Sequence, residues 1–169
     1  MSTEPHWPIP KNKKDRVNKQ NLNYKNLIPF LVICLLVMSF GGLFLPGPWY
    51  ESLQKAPWTP PNLAFPIVWN VLYLCIAISG WQIFAQGNTT LKLLWVTQLF
   101  INAVWSWIFF GQHWVLFGLI DLMILDISII ALIFHCIKQQ LKLSTLLMSA
   151  YLVWLCIATS LNIYILLKN

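Results

Sequence analysis

Three observations predict an all-α integral membrane protein, a bundle of five transmembrane helices. Only 9% of the 169 residues are charged and 58% are hydrophobic, whereas soluble domains carry about 25% charged residues. Five apolar stretches approach the roughly 20 residues that a membrane span requires: 27–45, 65–85, 91–110, 114–135 and 144–167. Three of the four connections between them are short, which makes those helices antiparallel neighbours. Neither an internal repeat nor a low-complexity region breaks the pattern.

Residues 1–26 form a basic polar tail that reads as disordered, ahead of a membrane domain over 27–167. Six of the eleven basic residues (Lys11, Lys13, Lys14, Arg16, Lys19, Lys25) fall in the tail. A basic stretch beside an apolar helix is a topology determinant and a contact for anionic lipid. It lacks the interleaved aromatics that base stacking wants, so no nucleic-acid partner is expected. With the tail, Lys92, Lys138 and Lys142 on one side and Lys55 and Lys168 on the other, nine basic residues face two. That bias places the N-terminus in the cytoplasm. It suits a bacterial inner (cell) membrane, and the tail does not read as a cleavable signal.

Between the first two spans, residues 46–64 form a stiff aromatic loop. Pro46, Pro48, Pro57, Pro60 and Pro61 fix φ and bar a continuous helix, while Trp49, Tyr50 and Trp58 give apolar bulk. Stiffness of this kind suits a lid more than a slack connector, with Trp58, Pro60 and Pro61 as its candidate residues. The loop feeds a helix on which Phe65, Trp69 and Tyr73 recur every four residues and share a face. One-sided aromatic rings under a lid suit a flat apolar ligand; the alternative is an interfacial aromatic belt.

Polar residues in spans tend to face the bundle interior. Gln98, Asn102, Trp105 and Phe109 form a stripe on the third span, and Phe117, Asp121, Leu125 and Ser128 one on the fourth. Trp154, Ala158, Leu161 and Asn162 form one on the fifth. Convergence of these stripes would give an apolar cavity with a few placed polar groups. Asn102 and Asn162 also suit plain interhelical hydrogen bonds. Asp121 near mid-span needs a partner, a proton or water. A protonated structural role comes first, and a ligand or proton-relay role second. Asp126, about 140° further round the helix, does not pair with it.

No metal site is expected, because Cys34, Cys75, Cys136 and Cys156 are scattered and His6, His113 and His135 are isolated. No catalytic residues are assigned: no nucleophile motif, phosphate loop or acid–base pair is present.

Trp49-Tyr50, Lys55, Trp58-x-Pro60-Pro61, Phe65, Val68-Trp69 and Leu72-Tyr73 resemble the first loop and second helix of the TspO/MBR family. These are the tryptophan-rich sensory proteins related to the mitochondrial translocator protein. The likeness runs on through Gln98-Leu99, Asn102, Trp105, Phe109-Phe110-Gly111, Asp121, Tyr151-Leu152, Trp154-Leu155, Ala158-Thr159 and Leu161-Asn162.

The resemblance implies a five-helix bundle whose lidded cavity binds porphyrins and synthetic benzodiazepine-type ligands, in a protein that is often a homodimer. By position, Trp69, Asn102, Trp105, Phe117, Trp154, Ala158 and Leu161 would line the cavity, with Trp58, Pro60 and Pro61 shaping the lid. Phe117 stands where many relatives carry Trp, which keeps the ring and loses the indole donor. The family's sterol motif fits at Leu161, Tyr164 and Lys168 only with a one-residue shift.

The leading expectation is a tetrapyrrole-binding sensor or carrier that regulates or transports porphyrins. Its partners would be the lipid bilayer and a porphyrin, haem-type or other flat apolar ligand, with no cofactor required, and Lys55 and His113 at the mouth meeting propionates. One alternative is a light-dependent porphyrin-degrading enzyme, which needs no nucleophile. The other is a non-catalytic scaffold or lipid-binding regulator.

Overall fold

A computed structural model describes residues 24–169, and most of the basic tail lies outside the described residues. A 3-10 turn, Tyr24–Leu27, leads into α1 (Ile28–Gly41), started by Pro29 in its first turn, where a missing N–H costs nothing. Helix α1 has only 14 residues. It stops four short of the expected boundary at 45, because Gly41-Gly42 has poor helix propensity and Pro46 and Pro48 follow.

The loop is not wholly irregular. Pro48 opens a single helical turn, α2 (Pro48–Ser52), in which Ser52 Oγ donates to the Trp49 carbonyl at 2.7 Å. The other helices are α3 (Ala64–Gln86), α4 (Thr89–Ser106), α5 (Val115–Lys138) and α6 (Lys142–Lys168). Helices α3, α5 and α6, and α4 with the turn that extends it to Gly111, are long and apolar enough to cross a membrane; α1 is the shorter fifth.

Local chemistry sets the boundaries. Asn88 caps α4 by accepting from the Leu91 N–H at 3.0 Å. The turns before α5 and before α6 each use a left-handed residue, His113 (φ 58°) and Gln140 (φ 59°). Beyond Ser106, α4 loosens into a π turn over Trp107–Gly111, and the Gln112 N–H reaches the Trp107 carbonyl at 2.9 Å. Such wide turns concentrate at functional sites. Here it lets the consecutive residues Phe109 and Phe110 both face the lid.

Around the bundle the order is α1, α3, α6, α5, α4 and back to α1. Association in lipid relies on close packing more than on hydrophobic transfer. The half away from the lid is solid: Ile76, Ile83, Leu91, Leu132, Met148 and Leu155 are fully buried. Trp95 donates to the Ile76 carbonyl at 3.0 Å and meets Phe30 and Phe84 edge-on. Gly80 permits that approach, since a Cβ there would overlap the Trp95 indole. On the α5 face, Gly118 lets Phe109 and Asn162 come close. Gly118, Leu122, Leu125, Ile129 and Leu132 therefore make the buried seam of α5. Phe117 and Asp121 lie about 100° off it.

Candidate functional site

The half of the bundle under the lid encloses a cavity of about 530 Å³. That lies within the range of about 300–1,000 Å³ usual for small-molecule sites. Helix α3 contributes Phe65, Trp69 and Tyr73; α4 contributes Asn102 and Trp105; α6 contributes Trp154, Ala158 and Leu161. Eight of the ten side chains expected to line a site therefore converge on one space.

The walls are rings. Phe65 meets Trp154 edge-on at 5.7 Å, and Trp69 packs against Tyr73 at 5.7 Å and Tyr151 at 6.3 Å. Elsewhere in the lining, Trp105 stacks on Phe109 with centroids 5.0 Å apart and planes 12° from parallel. The floor is polar and self-satisfied. Tyr73 donates to Asn102 Oδ1 at 2.5 Å, and Asn102 Nδ2 donates to the Tyr151 hydroxyl at 2.6 Å. One amide thus ties α3, α4 and α6 together, which is the interhelical role open to it from the sequence.

The lid is gripped on two sides. Trp49 lies flat on His113, ring centroids 4.1 Å apart, while Tyr50 meets Phe109 and Phe110 edge-on. Toward α6, Trp58 Nε1 donates to Ser160 Oγ at 3.2 Å and its ring meets Tyr164. Asn169 brackets Gln54, its Oδ1 accepting from the backbone N–H at 2.8 Å and its Nδ2 donating to the carbonyl at 3.3 Å. Lys55 Nζ sits 4.8 Å from the Tyr50 ring centre, at the cavity rim. Burial at the lid pushes the Tyr50 phenol up from its ordinary range.

Several expected residues stand elsewhere. Phe117 is 57% exposed and faces a shallow depression with Trp114, His113 and Leu53. The rotation of α5 set by Gly118 turns it out of the cavity. Asp121 is half-buried beside the lining, one carboxylate oxygen enclosed without a partner; Leu122 lines the cavity, and so does Leu125 of the expected fourth-span stripe. Trp58 is 55% exposed and clasps α6 from outside; neither it nor Pro60 nor Pro61 lines the cavity. The residues between α1 and α3 that do are Gly42, Phe44, Leu45, Pro46, Tyr50, Glu51, Lys55 and Asn62. His113 stacks under Trp49 and is not among the lining residues. Among the described residues, no three His, Cys, Asp or Glu side chains come together as a metal site.

Comparison with known proteins agrees with this architecture. The TspO/MBR family profile matches residues 30–167, nearly all of the helical domain. The chain belongs to the TspO/MBR family. It is similar to protein CrtK of Rhodobacter capsulatus, 34% identical over 140 residues that cover 79% of this chain and 86% of the relative. Against the tryptophan-rich protein TspO of Archaeoglobus fulgidus it is 35% identical over 145 residues, 82% and 94% of the two chains. The human translocator protein is 32% identical over 120 residues, 68% and 70%. Membership accounts for an integral membrane protein built as a helical bundle.

Two features of the site were missed in the sequence. Phe110 joins Phe109, already on the third-span stripe, because of the π turn, which no spacing rule anticipates. Tyr50 closes the roof, and its signal was the Trp49-Tyr50 pair inside a proline-rich loop.

Proposed function

We propose that this TspO/MBR protein is a membrane sensor or carrier that binds a tetrapyrrole in the cavity between α3, α4 and α6. The observation that carries the reading is the aromatic lining, Trp69 with Tyr73 and Trp105 with Phe109, around about 530 Å³. Parallel and edge-on rings suit a flat π-system better than a flexible chain. Lys55 at the rim suits a peripheral carboxylate. The solid half beyond the floor supports holding over through-passage. The basic residues outside the lid side support a bacterial inner membrane with the N-terminus in the cytoplasm.

The test is a tryptophan-fluorescence titration with protoporphyrin IX, in the dark and then under illumination, on wild type, Trp69→Phe and Trp154→Phe. Saturable quenching that weakens in the variants, with the porphyrin spectrum intact in light, is the expected result. Loss of the porphyrin spectrum that depends on those tryptophans would make the protein a light-dependent degrading enzyme. Absence of saturable quenching would remove the tetrapyrrole reading and favour a scaffold or lipid-binding role.

A further inference from the structure

At the end of the bundle away from the lid, one hydrogen bond gathers three lysines. The turn between α3 and α4 and the turn between α5 and α6 are 51 residues apart in the chain, yet the Asn88 N–H donates to Gln139 Oε1 at 3.1 Å. Lys92 stands one helical turn beyond Asn88 on α4, Lys138 immediately precedes Gln139, and Lys142 opens α6. The left-handed Gln140 (φ 59°) keeps the second turn tight, and the Leu141 N–H donates to the Cys136 carbonyl at 2.9 Å.

Charge at this end has one sign. The carboxylate side chains among the described residues are Glu51, Asp121 and Asp126. Glu51 belongs to the lid, and the two aspartates lie in the first half of α5, which starts on the lid side at Val115. None of them stands beside the three lysines.

Apolar surface lies directly beneath the charge. Lys138 Nζ sits 4.4 Å from the Phe134 ring centre, and Lys92 Nζ 5.7 Å from that of Phe84 on α3. Both rings are exposed, as are Ile137, Leu143 and Leu146 on the two helices that meet at the turn. Lysine stems that lie along apolar surface hold their ammonium groups at the polar edge of a membrane. Positive charge over lipid-facing hydrocarbon matches a phospholipid with an anionic headgroup over its acyl chains.

We propose that this rim, centred on Lys138 and Lys142 with Lys92 beside them, is a binding site for an anionic phospholipid. Its phosphate meets the ammonium groups, and its acyl chains run along Phe134, Ile137 and Leu146. Charge complementarity selects the occupant: a basic pocket between membrane helices attracts acidic headgroups, whereas a zwitterionic lipid brings a cation that the lysines repel. The site stands apart from the cavity and does not depend on what fills it. A plain topology signal needs positive charge anywhere on this side of the membrane; here a joint between two turns sets where the lysines are, so particular lysines matter.

The experiment titrates full-length detergent-solubilised protein with dioleoyl-phosphatidylglycerol and with dioleoyl-phosphatidylcholine, and counts bound lipid by native mass spectrometry. The basic tail stays in every variant. Wild type should prefer the glycerol lipid by about tenfold or more, and Lys138→Gln combined with Lys142→Gln should reduce that preference to about twofold or less. Lys168→Gln removes the same charge at the lid end of α6 and should keep the preference within about twofold of wild type. Equal retention of the two lipids by wild type would overturn the proposal. So would a preference that survives in the double variant, or one that Lys168→Gln lowers as much. Displacement of the bound lipid by soluble glycerol phosphate at equal concentration would also overturn it, by making this a site for a free phosphate.

Discussion

Asn102 on α4 donates through Nδ2 to the hydroxyl of Tyr151 on α6 at 2.6 Å, while its Oδ1 accepts from Tyr73 on α3. All three side chains are buried; Asn102 is 6% exposed and Tyr151 0%. The floor of the cavity is therefore also the joint that holds three helices in register.

Asn102→Leu should destabilise the bundle, because it leaves two phenols buried without their shared partner. The expected cost is about 1–3 kcal/mol, read as a lower unfolding midpoint in detergent. A midpoint unchanged from wild type would mean that the phenols find other partners and that the joint is unimportant.

Gly80 is the place where α3 lets Trp95 of α4 approach. Gly80→Val should displace that indole from the Ile76 carbonyl and cost about 1–3 kcal/mol. Because Trp95 sits in the solid half, ligand affinity in the folded fraction should hold. A stable variant with weakened binding would contradict the division of the bundle into a packed half and a hollow half.

The lid hangs from α6 by the Trp58–Ser160 bond and the Asn169–Gln54 pair. Trp58→Phe combined with Asn169→Ala removes those hydrogen bonds and keeps the ring against Tyr164. Stopped-flow mixing should then show ligand association and dissociation both faster, with equilibrium affinity changed by less than about threefold, since no lining residue is altered. Unchanged rates would show that the loop does not gate the cavity.

Phe117→Leu should leave ligand affinity unchanged, because that ring faces away from the cavity. Gly118→Ala, one residue along, should weaken it by pressing on Phe109 and Asn162. Direct titration of the two variants side by side checks both. The reverse order would mean that α5 is rotated in the ligand-bound protein.

Much of this was legible in the sequence. Apolar run lengths and punctuation by Pro, Gly and Asn located five helices, with α1 overestimated because Gly41-Gly42 was read as part of the span. The four-residue step of Phe65, Trp69 and Tyr73 placed their rings on the cavity. On α5, Leu125 of the expected stripe lines the cavity, while Phe117 and Asp121 lie off the buried seam. Phe117 and Asp121 are the conspicuous side chains there, but a glycine at 118 sets the rotation through what it allows to approach. The Asn102 joint was hidden because its partners lie 29 and 49 residues away in the chain. Helical periodicity reports a face, not the neighbour that face will meet.

The most direct test of the central claim is equilibrium binding of protoporphyrin IX to wild type and to Ala158→Phe. Ala158 lines the cavity between Trp154 and Leu161, so a phenyl group there occupies ligand space without removing any hydrogen bond. The account predicts saturable one-to-one binding to wild type and a loss of about tenfold or more in a variant that remains folded. Equal affinity for both proteins would place the porphyrin elsewhere and contradict the cavity as the binding site.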